Sequence, residues 1–201
     1  MIKNSKTLNI IFGLNALLWA YFSLLHGEGK LQLTPARISI SFIHAFVAVL
    51  FFIRQPVKQF ADVKQVILSL PSMLCMGLAI KFAPPTDQWP LYAEIVYVAG
   101  AFLTTVSLLN LGQSFTVFPA YIKTVSHGFY RLVRHPIYLG ECILAVGCLL
   151  AGFNLVSIIA AVFLLPAVAI RIYQEEKILK TQDDYQLYMT DVKYRLIPGI
   201  W

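Results

Sequence analysis

Long uncharged apolar runs alternate with short charged segments along the chain and predict helices that cross a membrane. The runs cover residues 7–25, 38–53, 65–80, 95–122 and 142–170. A helix needs about 20 apolar residues to cross the hydrocarbon core of a bilayer. The first three runs therefore each predict one span, although some are short. Within the fourth run we place the helix at about Leu91–Leu111, followed by a loop that begins at Gly112.

The fifth run contains 29 residues and fits either one tilted helix or a hairpin that turns at residues 152–154. Cytoplasmic loops of membrane proteins carry an excess of Lys and Arg. With a hairpin, 13 of the 16 Lys and Arg residues lie on the side of the N-terminus, whereas a single span divides them eight against eight. We therefore predict a hairpin with arms 136–151 and 155–170, and both termini in the cytoplasm. Each arm extends for about 24 Å, less than the bilayer core, so the arms are tilted or partly re-entrant.

The composition agrees with a membrane protein, because 58% of the residues are hydrophobic and only 13% are charged. These values exclude a soluble cytosolic domain, a disordered chain and a nucleic-acid-binding module. The net charge of +6 is explained first by cytoplasmic loops. The predicted fold is thus an all-α, multi-pass integral membrane protein with five to six transmembrane helices, including the C-terminal hairpin. Because no targeting tail is recognisable, we expect a bacterial plasma membrane.

The cysteines and the usual nucleotide motifs give no indication of a metal or nucleotide site. Cys75, Cys142 and Cys148 lie inside apolar runs without CxxC spacing and are interpreted as packing residues. The sequence has no P-loop, Gly-x-Gly-x-x-Gly, nucleophile elbow or His-Glu-x-x-His motif. We interpret His44, in the second run, as a satisfied polar contact between helices and not as a site residue.

The densest group of polar residues precedes and enters the first arm of the hairpin. Pro136 suits the first turn of a helix because its missing N–H would be unpaired there, and it keeps His135 out of the α region. A helix start of this kind attracts anionic groups. Glu141 lies about one turn inside the membrane segment and needs a partner, for which we expect Arg131 or Arg134. The alternative is that these arginines are only interfacial anchors.

The segment after residue 170 is predicted to continue the last helix into the cytosol. Val168, Ile172 and Leu179 keep one apolar face, whereas Arg171 and Glu175 lie four residues apart on another face. A plain surface ion pair between the last two is the simple alternative to a functional role.

Two blocks of the sequence resemble the isoprenylcysteine carboxyl methyltransferase and phospholipid methyltransferase family. The first block is Tyr-Arg-Leu-Val-Arg-His-Pro-Ile-Tyr-Leu-Gly at residues 130–140. The second contains Arg171, Glu175-Glu176-x-x-Leu179, Tyr185-x-x-Tyr188 and Arg195-Leu196-Ile197-Pro198. The blocks occur in the family's order, are separated by an apolar stretch of hairpin size, and cover about the last 90 residues. The first half of the chain resembles the family only as generic spans.

The resemblance implies a membrane methyltransferase that uses S-adenosylmethionine at a cytosolic site and acts on a lipophilic acceptor, without a metal or a nucleic acid. It divides a single membrane domain into four N-terminal spans, residues 1–111, and a methyltransferase core, residues 112–201. The resemblance assigns cofactor contacts to Ile122, Lys123, Thr124, Val125, Tyr130, His135, Pro136, Ile137, Tyr138 and Glu175. It places Arg171 on the acceptor side. Glu141 is the second candidate catalytic residue, because of its position inside the membrane.

Methyl transfer is an in-line displacement, so the protein mainly aligns the reactants and excludes water. A carboxylate acceptor needs only a positioning cation, a role that suits Arg171. An amine or hydroxyl acceptor needs a base, for which Glu141, Glu176 and His135 are equal candidates. We expect carboxyl O-methylation of an isoprenoid- or lipid-like acceptor.

Three other functions remain open at this stage. The first is a phospholipid or amine N-methyltransferase with the same site. The second is an NADPH-dependent sterol reductase, because such enzymes carry an Arg-His-Pro-x-Tyr-x-Gly-Glu-like turn and a Tyr-Arg-x-x-Pro-like tail. The third is a non-enzymatic membrane component, although no run shows the paired broken halves of a transporter. Binding of S-adenosylmethionine or of NADPH distinguishes these classes.

Overall fold

The computed structural model describes residues 6–26 and 29–201, which are mostly helical. The helices are α1 (Lys6–Ser23), α2 (Pro35–Ile53), α3 (Val63–Lys81), α4 (Leu91–Leu111), α5 (Pro136–Ala151), α6 (Leu155–Leu179) and α7 (Asp183–Asp191). Within the described residues, α2, α3, α4 and α6 are long and apolar enough to cross a membrane. This confirms the predicted helical membrane fold in outline. The 18-residue α1 and the 16-residue α5 remain predicted spans.

The predicted helix boundaries around the hairpin agree with the structure. Helix α5 ends at Ala151 and α6 begins at Leu155, so the chain turns at the predicted three residues. Asn154 caps α6, because its side chain accepts a hydrogen bond from the Ser157 N–H at 2.9 Å. Its amide also donates to the Phe82 carbonyl at 2.7 Å, which ties the turn to the end of α3. Earlier in the chain, Gly112 ends α4 with a φ of 51°, a conformation that favours glycine.

Local capping explains where α2 and α3 begin. Thr34 caps α2 by accepting a hydrogen bond from the Arg37 N–H at 3.3 Å, and Pro35 occupies the first helical position. Asp62 and Gln65 form a reciprocal capping box at the start of α3, with hydrogen bonds of 2.7 and 2.9 Å.

Small residues allow α4 and α5 to pack closely together. A Cβ atom added to Gly140 would lie 2.2 Å from Thr104 Oγ1, and one added to Gly100 would lie 2.6 Å from the Leu144 backbone nitrogen. Small residues at such contacts let two helix backbones approach each other. Gly140 therefore serves the close packing of α5 against α4.

The centre of the bundle is a cluster of buried side chains to which five helices contribute. Its members include Leu50 of α2, Ala79 of α3, Tyr97 of α4, Cys148 of α5 and Val168 of α6. All three cysteines are free thiols that pack in or against this cluster, as expected from their positions in apolar runs.

Two short antiparallel strand pairs join the loops between helices, and the sequence did not predict them. Strands β1 (Leu25–His26) and β2 (Lys30–Leu31) pair between α1 and α2. Strand β3 (Gln59–Phe60), between α2 and α3, pairs with β4 (Ala120–Tyr121). The second pair attaches the segment after α4 to the N-terminal half of the chain.

Candidate functional site

A cavity of about 410 Å³ lies among α2 to α7 and the segment between α4 and α5. Its charged and aromatic lining residues come from residues 115–188 with the exception of His44, whereas the lining residues of α2 and α3 are mostly apolar. All of the predicted site residues except Pro136 line it, namely Ile122, Lys123, Thr124, Val125, Tyr130, His135, Ile137, Tyr138, Glu141, Arg171 and Glu175. The structure therefore brings together residues that lie up to 53 positions apart in the chain.

The turn before α5 is built as the sequence predicts. Pro136 occupies the first turn of α5, and His135 has φ −128° and ψ 61°, outside the α region. The backbone N–H groups of Arg134 and His135 donate to the carbonyls of Tyr194 and Arg195, each at 2.9 Å. The two sequence blocks are thus joined directly through their backbones.

Glu176 is the structural centre that holds this turn against α6 and the C-terminal tail. Its side chain is only 1% exposed, and it lies 3.0 Å from Arg134 Nη2, 3.4 Å from His135 Nε2, 3.0 Å from Lys180 Nζ and 2.9 Å from Arg195 Nη2. A buried carboxylate requires such partners. The sequence left Glu176 open as a base, but its contacts make it a structural residue.

The expectation that Arg131 or Arg134 pairs with Glu141 is wrong. Arg134 forms an ion pair with Glu176, and Arg131 is exposed. Glu141 Oε2 instead lies 3.8 Å from Arg171 Nη1, across the hairpin. The reason is that Arg134 precedes the first turn of α5 and faces the tail, whereas the antiparallel return of α6 brings Arg171 level with Glu141.

The guanidinium of Arg171 is held by several elements of the fold. Its side chain is 7% exposed. Nη2 donates to the Val117 carbonyl at 3.0 Å, Nη1 donates to Ser72 Oγ at 3.3 Å, and Cζ lies 4.7 Å from the centre of the Tyr138 ring. Glu175 accepts a hydrogen bond from the Tyr138 hydroxyl at 2.6 Å. Arg171 and Glu175 therefore do not form the plain surface ion pair that their spacing also allows.

Tyrosine side chains form the aromatic wall of the cavity. Tyr130, Tyr185 and Tyr188 belong to one buried cluster, and the Tyr188 hydroxyl donates to the Tyr130 carbonyl at 2.6 Å. Burial raises the pKa of Tyr130 and of Tyr185 well above the usual phenol value, and the carboxylate of Glu176 adds to the effect at Tyr185. These phenols are therefore neutral at physiological pH.

Asp184 of α7 holds the segment from Tyr121 to Thr124 against the tail. Its Oδ2 accepts hydrogen bonds from the Tyr121 hydroxyl at 2.7 Å and from the Thr124 N–H at 3.3 Å. Burial works against ionisation of Asp184, but these hydrogen bonds outweigh it and lower the pKa of the carboxyl group. The sequence analysis missed Asp184, and its only sequence signal is its position between the two tyrosines of the second block and α6.

Among the cavity-lining residues of α2 and α3, His44 is the one ionisable side chain. The other residues that these two helices contribute to the lining are Gly77 and the apolar Ile40, Ile43, Val47, Met73, Met76 and Ile80. His44 Nδ1 lies 3.3 Å from Ser23 Oγ of α1, so the predicted polar contact between helices exists. His44 nevertheless also lines the cavity, and its depth in the membrane was the signal that could have placed it in the site.

The family model for the isoprenylcysteine carboxyl methyltransferase family matches residues 93–181. Over these residues, which make up less than half of the chain, the sequence is similar to that family. This confirms the predicted family. The matched segment begins in α4 and ends before α7, so it contains the first sequence block, Glu141 and the charged end of α6, but not the tyrosines of α7.

A solved structure of a eukaryotic intramembrane Ras methyltransferase, an isoprenylcysteine carboxyl methyltransferase, is also similar to the chain. It is 19% identical with a TM-score of 0.45, and the alignment covers 97% of this chain and 74% of that one. The comparison with curated proteins gives no match. Within the described residues, no cluster of His, Cys, Asp and Glu has the arrangement of a metal site.

Proposed function

We propose that the chain is an S-adenosylmethionine-dependent membrane methyltransferase that forms a methyl ester on a lipophilic, isoprenoid- or lipid-like carboxylic acid. The observation that carries this proposal is the cavity, whose charged and aromatic lining residues come largely from the family segment and whose lining residues from α2 and α3 are mostly apolar. Arg171 lines the cavity at the junction of α3 and the polar lining residues, because it contacts Ser72 of α3 and the ring of Tyr138. A charged residue at this junction suits an acceptor with an apolar body and an anionic end.

The polar part of the cavity has the groups that S-adenosylmethionine requires. This cofactor has an anionic carboxylate, an adenine ring and cationic ammonium and sulfonium groups. Arg134 and Tyr185 line the cavity, and Arg134 Nε and the Tyr185 hydroxyl are buried without a hydrogen-bond partner among the described residues. They can donate to a carboxylate, whereas Glu175 can accept from a cation and Tyr130 offers an aromatic wall. The residues present therefore fit the cofactor.

Different charged side chains bind the cofactor and align the acceptor. When bound, S-adenosylmethionine supplies a methyl group that is already activated by the sulfonium. Glu175, oriented by the Tyr138 hydroxyl, contributes negative charge on the cofactor side. Arg171 orients the acceptor carboxylate, since Glu141 at 3.8 Å is beyond hydrogen-bond distance of its Nη1 and leaves that nitrogen able to bind a closer oxygen.

Two of the three candidate bases, Glu176 and His135, are engaged by other side chains, which supports a carboxylate acceptor over an amine. Glu176 is surrounded by cations. His135 lies between Glu175 and Glu176 and stacks on Tyr138 with 5.6 Å between ring centres. A carboxylate is already a nucleophile at physiological pH and needs no proton removed. The family's own description, which names carboxyl methylation of isoprenylcysteine, supports the same acceptor class.

Methyl transfer from tritium-labelled S-adenosylmethionine to farnesoic acid, with the purified protein in lipid nanodiscs, tests the proposal. We expect lipid-soluble label that alkali releases as volatile methanol, because a methyl ester is base-labile. Phosphatidylethanolamine serves as the second acceptor. Base-stable label in that lipid would overturn the carboxylate proposal in favour of N-methylation. Thermal stabilisation by NADPH and none by S-adenosylhomocysteine would overturn the methyltransferase proposal.

A further inference from the structure

Ser72 lies on α3, outside the matched residues 93–181, yet it contacts the side chain that we assign to the methyl acceptor. Arg171 Nη1 donates to Ser72 Oγ at 3.3 Å, and Ser72 is 0% exposed. We propose that Ser72 is a positioning residue that orients Arg171 and thereby sets the preference for a carboxylate acceptor. This inference rests on the proposed function, because it concerns the acceptor side of the same site.

The hydrogen bonds of Ser72 give its hydroxyl a defined direction. The hydroxyl has one proton, and Ser72 Oγ donates it to the Ser69 carbonyl at 3.0 Å. The lone pairs of Oγ are therefore left to accept from Arg171. On the other side of the guanidinium, the Val117 carbonyl accepts from Nη2 at 3.0 Å. Two neutral acceptors from separate parts of the chain thus fix the plane of the guanidinium.

Ser72 and Glu141 compete for the same nitrogen of Arg171. Glu141 Oε2 lies 3.8 Å from Nη1, whereas Ser72 Oγ lies at 3.3 Å. A buried guanidinium requires partners, so without the Ser72 hydroxyl we expect Nη1 to turn towards Glu141 and form a close ion pair. Arg171 would then have less capacity to bind the carboxylate of the acceptor.

Ser69 provides a matched control in the same helix. It is also buried, at 1% exposure, and its hydroxyl also donates to a backbone carbonyl, that of Gln65, at 2.8 Å. The hydrogen bonds of Arg171 reach Ser72 and Val117 but not Ser69. Ser69→Ala therefore removes the same atoms at the same burial as Ser72→Ala, without removing a partner of Arg171.

The experiment measures how strongly the protein prefers a carboxylate to an alcohol of the same shape. Affinities for farnesoic acid and farnesol are determined by calorimetry in nanodiscs for the unchanged protein, Ser72→Ala and Ser69→Ala. In Ser72→Ala we expect the preference for the acid to fall roughly 10- to 100-fold, the effect of losing a hydrogen bond to a charged group. Ser69→Ala should keep the preference, and both variants should bind S-adenosylhomocysteine normally. A merely structural role of Ser72 would not change the ratio of the two affinities.

Three results would overturn the inference: equal ratios in Ser72→Ala and Ser69→Ala, an unchanged ratio in Ser72→Ala, or no preference for the acid in the unchanged protein. If Ser72→Ala does not fold, Ser72→Cys replaces it, because sulfur is a similar size but a weak acceptor. If Ser72→Cys has the same ratio of affinities for farnesoic acid and farnesol as the unchanged protein, the inference is again overturned. Failure of the proposed function has a different signature, namely no binding of S-adenosylhomocysteine and no methyl ester.

Discussion

Replacing Glu176 with Gln is expected to destabilise the protein strongly, because this side chain joins the turn before α5, α6 and the tail. The substitution keeps the size but removes the charge that compensates Arg134 at 3.0 Å in a buried position. Breaking a buried ion pair by removing one partner costs about 3–5 kcal/mol. Lys180 and Arg195 keep more contact with solvent, at 43% and 29% exposure, so they can be hydrated when Glu176 loses its charge. We therefore expect a loss of about 3 kcal/mol, most of it from Arg134.

Equilibrium unfolding in mixed detergent micelles measures this loss, with Lys180→Ala as the matched control. The Lys180 ammonium contacts the same carboxylate at 3.0 Å, four residues along α6, but it is much more exposed. Exposed pairs contribute about 0–1 kcal/mol, so Lys180→Ala should cost less than a third of the Glu176→Gln effect. Equal losses in the two variants, or a loss below about 1 kcal/mol in Glu176→Gln, would refute the view that Glu176 is the structural centre of the site.

Three further predictions concern the membrane topology, the separate roles of Glu175 and Arg171, and the contact between Asp184 of α7 and residues 121–124. Cysteines placed at Asn154 and Thr190 should react with impermeant reagents from opposite sides of the membrane, with Thr190 on the cytoplasmic side; labelling from the same side would contradict the hairpin. Glu175→Gln should weaken S-adenosylhomocysteine binding about tenfold, whereas Arg171→Ala should abolish turnover and leave that affinity unchanged in calorimetry. Because the folded-state pKa of Asp184 is lowered, its ionised form stabilises the fold above the unfolded-state pKa, and this contribution disappears as the pH falls through the folded-state pKa. The Asp184→Asn variant should therefore be less stable than the unchanged protein at neutral pH. The free energies of unfolding of the two proteins should become equal in acid. A constant difference between them across the pH range would contradict a stabilising role of the ionised, hydrogen-bonded Asp184.

The helices and the hairpin could be predicted because their signals are local. A run of uncharged residues indicates a span on its own, and the loop charges choose between one span and two. Pro136 and Gly112 mark a helix start and a helix end through their own backbone preferences. The two sequence blocks are also local patterns. They could therefore be linked to a family before their residues were known to share one cavity.

The partners of the charged residues could not be predicted, because those contacts lie between distant parts of the chain. From spacing alone, Arg131 and Arg134 were the candidates for Glu141, but the structure gives it Arg171, 30 residues away. Spacing along a helix identifies neighbours three or four residues apart and says nothing about which face of another helix lies opposite.

The sequence by itself determined the membrane class, the helices and the turn between α5 and α6, and it predicted site residues in the C-terminal half that the structure places along one cavity. Only the tertiary structure showed that α2 and α3 contribute to the cavity and its surroundings, through His44, which lines it, and through Ser72 beside Arg171. In the sequence these two helices are generic spans, because a buried Ser or His has no local pattern that separates a packing residue from a cavity residue. Their role depends on how α3 packs against α6, which involves residues about 100 positions apart and is fixed only when the helices assemble.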